Sequence, residues 1–346
     1  MPSLPTVSLR DIARRIGVSH ATVSKALRND PEISETRRTE VRAVAEALGY
    51  RPDPLLQQLA AYRRSRRVSR IESCIGWLND WTDPDAYHRF PQYSGYWTGA
   101  RQAAEMLGFR LEEIRLRKNA PTAERLRRML LARSIRGVLI PPHLESFRHS
   151  AMDWSELSVV KIGFSIPELP THLVASDQYG GGRLAATHLL QAGHRRIGFV
   201  STQSLELNTR GNFSAALLHS RDRSVAKAER IPPLFLDDNG ADARLEFEKW
   251  LQKYRPTAVV YSPTAVVRWM GGRSSGIVLC SISRLDAPAE FGLNQLPEEV
   301  GQAAVEFLVS QLNTHRFGIP AHPRRILIEP SWEGGIPTAP AKPSRH

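Results

Sequence analysis

Apolar residues recur over the first fifty positions at helical spacing, and beyond residue 70 they gather into short runs alternating with helical stretches. Leu9, Ile12, Ala13 and Ile16 fall at i, i+3, i+4 and i+7, which lines one face of an α-helix. Ser8 stands at the N-cap position and Asp11, three residues on, completes a capping box. Gly17 supplies the positive φ of a tight turn. Ser19 opens a second helix that points Val23, Ala26 and Leu27 inward and His20, Ala21, Ser24, Lys25 and Arg28 outward. A third helix runs from Ser34 to Gly49, with Val41, Val44, Ala45 and Leu48 facing the other two. Two short helices joined by a Gly turn, the second with a basic, hydrogen-bonding outer face, describe a helix-turn-helix DNA reader. A plain three-helix bundle with a solvated surface fits the same periodicity.

From Ile71 onward the runs predict strands at 73–78, 110–116, 137–141, 159–164, 173–176, 196–201, 233–236, 258–261, 277–281 and 326–329. Helices are predicted at 92–107, 122–134, 180–192, 208–220, 241–253 and 298–313. Such alternation implies mainly parallel sheets covered by helices, and ten strands suit two doubly wound subdomains better than one. The expected fold class is multidomain: a small all-α headpiece followed by a two-lobed α/β body.

The net charge of +12 is concentrated at the amino-terminal end, where residues 1–70 hold fourteen Lys or Arg against seven Asp or Glu. That surplus points to a polyanion, with phosphate neutralisation supplying affinity. A membrane-surface helix is excluded because the apolar face of residues 9–16 is short and lacks interfacial aromatics. No apolar run approaches the ~20 residues of a membrane span, and the start Met-Pro-Ser-Leu-Pro lacks an export signal, so a cytoplasmic, nucleoid-associated protein is expected. Cys74 and Cys280 have no Cys or His neighbour at metal spacing and read as buried, reduced thiols. No G-x-S-x-G, H-E-x-x-H or paired Cys motif occurs, so neither an enzyme nor a cofactor or metal is implied. Gly180-Gly181-Gly182 lacks the Walker lysine and the spaced dinucleotide pattern, and Asp177 before it reads as structural.

Three motifs together carry a family resemblance: D-I-A-R-R-I-G-V-S-H-A-T-V-S-K-A-L (Asp11 to Leu27), G-Y-R-P (Gly49 to Pro52) and L-L-Q-Q-L (Leu55 to Leu59). Residues 7–61 resemble the DNA-binding headpiece and hinge of the LacI/GalR transcriptional repressors. A looser likeness runs to about residue 335 through H-L-L-Q-A-G-H-R-R-I-G-F-V (His188 to Val200) and R-P-T-A-V-V (Arg255 to Val260).

The resemblance implies a headpiece at 1–50, a hinge helix and basic linker at 51–70, an effector and dimerisation body at 71–335, and a flexible tail at 336–346. The body resembles periplasmic sugar-binding proteins, with a first lobe of about 71–176 plus 296–321 and a second of about 177–295 plus 322–335. His20 and Ala21 match the base-reading pair, and Lys25 holds a position usually given to arginine. Thr22, Ser24 and Arg28, with Ser8 at its helix start, are candidates for phosphate contacts. Leu59 matches the leucine that wedges between central base pairs in the minor groove, with Leu56 beside it. The implied partners are double-stranded operator DNA, a second copy of the chain and a small effector, a carbohydrate by family habit, with no membrane. The tail Thr338-Ala339-Pro340-Ala341-Lys342-Pro343 lacks a leucine repeat, which favours a dimer over a tetramer.

The effector pocket departs from the family pattern. Aligned on Phe213, Thr209 rather than Arg210 takes the family arginine position, and Tyr261-Ser262-Pro263-Thr264 carries no carboxylate. The family aspartate has no match in Cys280-Ser281-Ile282-Ser283. An aromatic segment after the first strand offers Asp80, Trp81, Tyr87, Phe90 and Tyr93 instead: rings and a carboxylate that suit a sugar face or an apolar ligand, and equally a loop whose aromatics pack over the cleft edge. Thr209, Arg210 and Thr264 complete the candidate set. The alternative is a DNA-binding or architectural protein whose body is degenerate and ligand-free.

Overall fold

The computed structural model describes residues 7–27, 30, 32–50, 73–119, 121–143, 146–238, 240–271, 276–286, 289–335 and 339. Arg28, Leu56, Leu59, the linker to residue 72 and the tail apart from Ala339 lie outside them.

The headpiece is three helices, α1 (Leu9–Ile16), α2 (His20–Leu27) and α3 (Glu35–Ala47). Ile12, Val23, Ala26 and Val41 are sealed completely at their common centre, with Ala13 and Ala45 beside them. Gly17 ends α1 at φ 75°, and its N–H donates to the Ala13 carbonyl at 2.9 Å. Leu48, expected to face inward, is exposed: it is the C-cap of α3, where the chain leaves the helical path.

Among the described residues the body contains two six-stranded sheets. The first has the order β11-β5-β4-β3-β1-β2, all parallel. Its strands are β1 (Ser73–Asn79), β2 (Phe109–Arg115), β3 (Gly137–Ile140), β4 (Ser158–Ile162), β5 (His172–Ser176) and β11 (Arg325–Ile328). Helices α4 (Pro84–Arg89), α5 (Pro91–Met106), α6 (Leu116–Asn119) and α7 (Ala123–Ala132) belong to this lobe. The second sheet has the order β12-β10-β9-β8-β6-β7, parallel except for β12. It consists of β6 (Ile197–Thr202), β7 (Leu234–Leu236), β8 (Ala258–Tyr261), β9 (Val278–Ser281), β10 (Phe291–Asn294) and β12 (Ser331–Glu333). Around it lie α8 (Gln178–Gln191), α9 (Gln203–Asn208), α10 (Asn212–Ser224), α11 (Ala243–Tyr254) and α12 (Ala265–Met270). Each sheet is buried on both faces, as parallel strands require: one core lies against α5 and the long helix α13 (Pro297–Asn313), its counterpart in the second lobe against α8 and α10.

Among the described residues the chain crosses between lobes three times, at β5–α8, β10–α13 and β11–β12. The expected placement of 322–335 wholly in the second lobe is therefore corrected. β11 pairs with β5, Arg325 opposite Leu173, and only β12 returns to the second sheet. The expected helix 208–220 starts later, at Asn212, because Arg210 and Gly211 both adopt positive φ and break the path after α9. Cys280 is buried but Cys74 is only half-buried, and both are free thiols.

α5 and α13 cross closely enough that side chains are excluded at the contact. A Cβ on Gly99 would lie 1.9 Å from the Glu298 carbonyl oxygen, and one on Gly301 would lie 2.1 Å from that of Tyr96. Glycine is required at both positions by the approach of backbone to backbone.

Parallel neighbours ordinarily need a covering helix between them, yet β4 and β5 are joined by residues 163–171 without one. The loop carbonyls must find donors over the sheet face. Lys161 supplies them from the middle of β4: its Nζ donates to the Ile166 and Leu169 carbonyls at 2.5 and 2.6 Å, while Thr171 donates to Val159 at 2.8 Å. Burial, with repulsion from Arg210 and Arg325 that Glu168 only partly offsets, pushes the Lys161 ammonium down to about 8 from 10.5. The folded value lies below the unfolded one, so between those pH values the unfolded chain holds a proton that the folded chain has released. This group's contribution to stability therefore rises as pH climbs across that window. Urea melts at pH 7.5 and 9.5 are expected to show that rise in the wild type and to lack it in Lys161→Met; an identical pH dependence in the two proteins would contradict the assignment.

Candidate nucleic-acid interface and interlobe site

In the headpiece the Asp11 carboxylate accepts from the Ser8 backbone N–H at 2.9 Å and from the Ser8 hydroxyl at 2.6 Å. Those two bonds hold the Asp11 carboxyl below its ordinary range. The Ser8 hydroxyl proton is thus committed within the protein. Ser19 caps α2 by accepting from the Thr22 N–H at 3.1 Å, and its hydroxyl lies 2.9 Å from that of Thr22. Because Val23 and Ala26 are buried, α2 turns His20 and Ala21 fully outward, with Ser24 and Lys25 half-exposed on the same side. The structure thus brings His20, Ala21, Ser24 and Lys25 onto one surface. The Lys25 ammonium is ion-paired with Glu32, in the turn before α3. Sequence spacing offered no sign of that partner, which lies beyond the end of α2 at Leu27.

Both sheets share one strand order, 2-1-3-4-5 in the first lobe and its equivalent in the second, extended by β11 or β12. Ligands in such sheets bind beyond the carboxyl ends of the strands where the order reverses, here between β1 and β3. In the first lobe that crevice is closed by internal bonds. The Asp80 N–H donates to His143 Nε2 at 2.8 Å, and the Trp81 indole donates to the Pro142 carbonyl at 2.9 Å. Burial pushes the His143 imidazolium down to about 4, so the ring is neutral at pH 7 and, with Nε2 accepting from Asp80, carries its proton on Nδ1.

Asp80 is the most heavily engaged residue of the predicted effector set. Its side chain is fully buried, and its carboxylate accepts from Arg148 Nη2 at 2.8 Å and from the Arg148 backbone N–H at 3.1 Å, with Arg117 Nε at 3.3 Å. Burial alone would raise its pKa, but the Arg148 bonds and charge outweigh it and hold the carboxyl below the ordinary range. Trp81 and Tyr87 are core residues, with ring centroids 5.5 Å apart, and Tyr93 stacks on Tyr87 at 5.4 Å. Phe90 is 45% exposed and forms the rim of this aromatic nest.

In the second lobe Thr209 is buried and its hydroxyl donates to the Leu205 carbonyl at 2.7 Å. Arg210 is exposed and reaches across to the first lobe, its guanidinium 5.9 Å from the centre of the Phe164 ring. Thr264 is exposed at the start of α12. Asp177 caps α8 through the Gly180 N–H at 2.9 Å, so the three-glycine helix start is already occupied by a carboxylate. Among the described residues no group of three or more His, Cys, Asp or Glu is placed to hold a metal ion, and no helix is long and apolar enough to cross a membrane.

A three-helix headpiece with a helix-turn-helix, on two parallel-sheet lobes with three crossings among the described residues, defines a fold with a periplasmic-binding-protein-like body. Residues 8–53 match the family described as bacterial regulatory proteins, lacI family. That match covers the headpiece, 46 of the chain's 346 residues. It is 26% identical over 198 residues to the HTH-type transcriptional regulator GalR of Escherichia coli, a match covering 56% of this chain and 52% of that protein. It is 25% identical over 352 residues to the HTH-type transcriptional repressor PurR of Proteus mirabilis, covering 92% and 95%. The match to GalR thus spans about half of that relative's length. These relatives are transcriptional regulators, not enzymes. In fold the chain resembles a transcriptional regulator CelR–cellobiose complex, with a TM-score of 0.54 at 20% identity over 96% of this chain and 99% of that one. It also resembles a lac repressor dimer bound to operator and the anti-inducer ONPF, with a TM-score of 0.53 at 19% identity over 94% and 97%.

Replacing Asp80 by alanine leaves Arg148 and Arg117 without their shared counter-ion in a buried setting. The expected cost is about 2–3 kcal/mol, tempered by the partial exposure of both arginines. Urea denaturation is expected to show a lowered midpoint at pH 7; an unchanged midpoint would mean that this cluster does not hold the first lobe together.

Proposed function

We propose that the protein is a cytoplasmic, sequence-specific DNA-binding regulator that grips a pseudo-palindromic operator as a homodimer. Each headpiece lays α2 in the major groove of one half-site. The single observation that carries this reading is the outward face of α2: His20, Ala21, Ser24 and Lys25 together on the side opposite a sealed apolar core. His20, Ala21 and Lys25 read base edges, Lys25 donating to guanine O6 or N7 as a point charge without arginine's planar fork. Thr22, Ser24 and Arg28 hold phosphates, which sets register without specifying sequence, while Ser8, whose two donors go to Asp11, keeps a capping role. Leu56 and Leu59 engage the minor groove at the centre of the site. Action as a repressor is in keeping with PurR of Proteus mirabilis, whose name describes it so.

The body then acts as a ligand-responsive clamp, for which a carbohydrate is the favoured effector class, since a neighbour in fold was solved with cellobiose. Phe90, Tyr93, Arg210 and Thr264 are its contacts. One observation favours a second reading, a body that binds no effector: Asp80 and Thr209 already spend their hydrogen-bonding capacity within the protein.

Selection of bound sequences from random duplex DNA tests the first reading. The full chain is expected to enrich one pseudo-palindrome, and His20→Ala and Lys25→Ala each to relax base preference at their own position, by about 1–3 kcal/mol of discrimination. Leu59→Ala is expected to weaken specific binding while leaving the headpiece folded. Preferences that survive both recognition-helix variants would remove those two assignments. For the body, melting temperature is measured against panels of sugars and nucleosides: a true effector raises it by mass action, and a flat response across the panels selects the ligand-free reading.

A further inference from the structure

α5 begins without a cap of its own. Phe90 occupies the N-cap position and brings no acceptor, and Pro91 at the next position has no N–H. The first N–H needing an external acceptor is therefore that of Gln92. It donates at 3.0 Å to the carboxylate of Asp286, which lies in the second lobe between β9 and β10. The other Asp286 oxygen accepts from the Ser283 hydroxyl at 3.1 Å. The Gln92 side chain is itself buried, lying 3.4 Å from that hydroxyl and donating to the Tyr96 phenol at 2.9 Å.

We propose that Asp286 is a helix cap supplied by one lobe to the other, so that parting the lobes and uncapping α5 are a single transition. A carboxylate at a helix start gains from both the bare N–H groups and the helix dipole. This one gains nothing from a cation, since among the described residues none lies within ion-pair distance of it, and its closest titratable companions are the phenols of Tyr93 and Tyr96. Burial without a counter-ion raises the Asp286 pKa, and that desolvation cost offsets part of the cap's gain. The contact is therefore strong enough to orient the lobes and weak enough to break. Residue type at 286 then sets the balance between lobe arrangements, independently of what the headpiece binds.

The test uses the full chain without DNA or effector. Hydrogen–deuterium exchange is followed at the first turn of α5 in the wild type, Asp286→Ala and Asp286→Asn, and a pair of spin labels, one on each lobe, reports their separation. Asp286→Ala is expected to speed exchange at Gln92 by roughly fivefold, the size of one lost cap, and to broaden or lengthen the interlobe distance. Asparagine is as good a cap as aspartate, so Asp286→Asn is expected to stay near wild type in both measurements. Unchanged exchange and distance in Asp286→Ala would overturn the proposal, and an asparagine variant as open as the alanine one would show that charge, not capping, holds the lobes. Should the alanine variant fail to fold, Ser283→Ala, which withdraws only the second donor to the carboxylate, is expected to produce the same changes in smaller measure, and its silence would overturn the proposal equally.

Discussion

The direction in which α2 presents its polar side depends on the burial of two small apolar side chains. Val23 and Ala26 are completely enclosed against α1 and α3. An α-helix advances 100° per residue, so fixing two positions inward fixes every other position on that helix. His20, Ala21, Ser24 and Lys25 face solvent for that reason. A substitution that turned α2 by one residue would strand Val23 in water and bury a polar residue, a cost no surface contact recovers. The Gly17 turn sets the angle between α1 and α2, and the shape of the reading surface follows from the packing beneath it.

The body obeys the same logic at larger scale. Two sheets with one strand order are tied by three crossings, and α5 crosses α13 so closely that only glycine fits at Gly99 and Gly301. That contact is backbone on backbone and leaves little room for adjustment. The freedom lies between the lobes, where Arg210 rests on Phe164 and Asp286 on Gln92. Rigid lobes with a few polar contacts between them suit a body that changes by rotation of whole units rather than by loosening of a core.

Much of this was legible in the residues. The i, i+3, i+4, i+7 pattern located the headpiece helices, and every predicted strand of the body exists within two residues of its expected bounds. β10 and β12 escaped because neither is an apolar run: Phe291-Gly292-Leu293-Asn294 is broken by a glycine and an amide, and Ser331-Trp332-Glu333 holds a single apolar residue. The four short helices α4, α6, α9 and α12 escaped because six residues or fewer make less than two turns, too little for a helical period to show. β11 was located but given to the wrong lobe, because an apolar run records that a strand is buried and not which strand lies beside it. The interlobe site was the least legible. Asp80 among aromatics looks like a ligand clamp in sequence, but its partner Arg148 lies 68 positions away, and only the fold reveals that the carboxylate is taken. Asp286 carried no motif at all, and its meeting with Gln92 spans 194 positions.

The proposed function requires a duplex to meet α2 and the residues that follow the headpiece. Hydrogen–deuterium exchange of the full chain, with and without duplex DNA carrying a selected site at physiological ionic strength, maps that meeting directly. Protection concentrated in residues 19–28 and 51–61, and much weaker with scrambled duplex, is the predicted result. Protection that is absent, or equal for both duplexes, would contradict it.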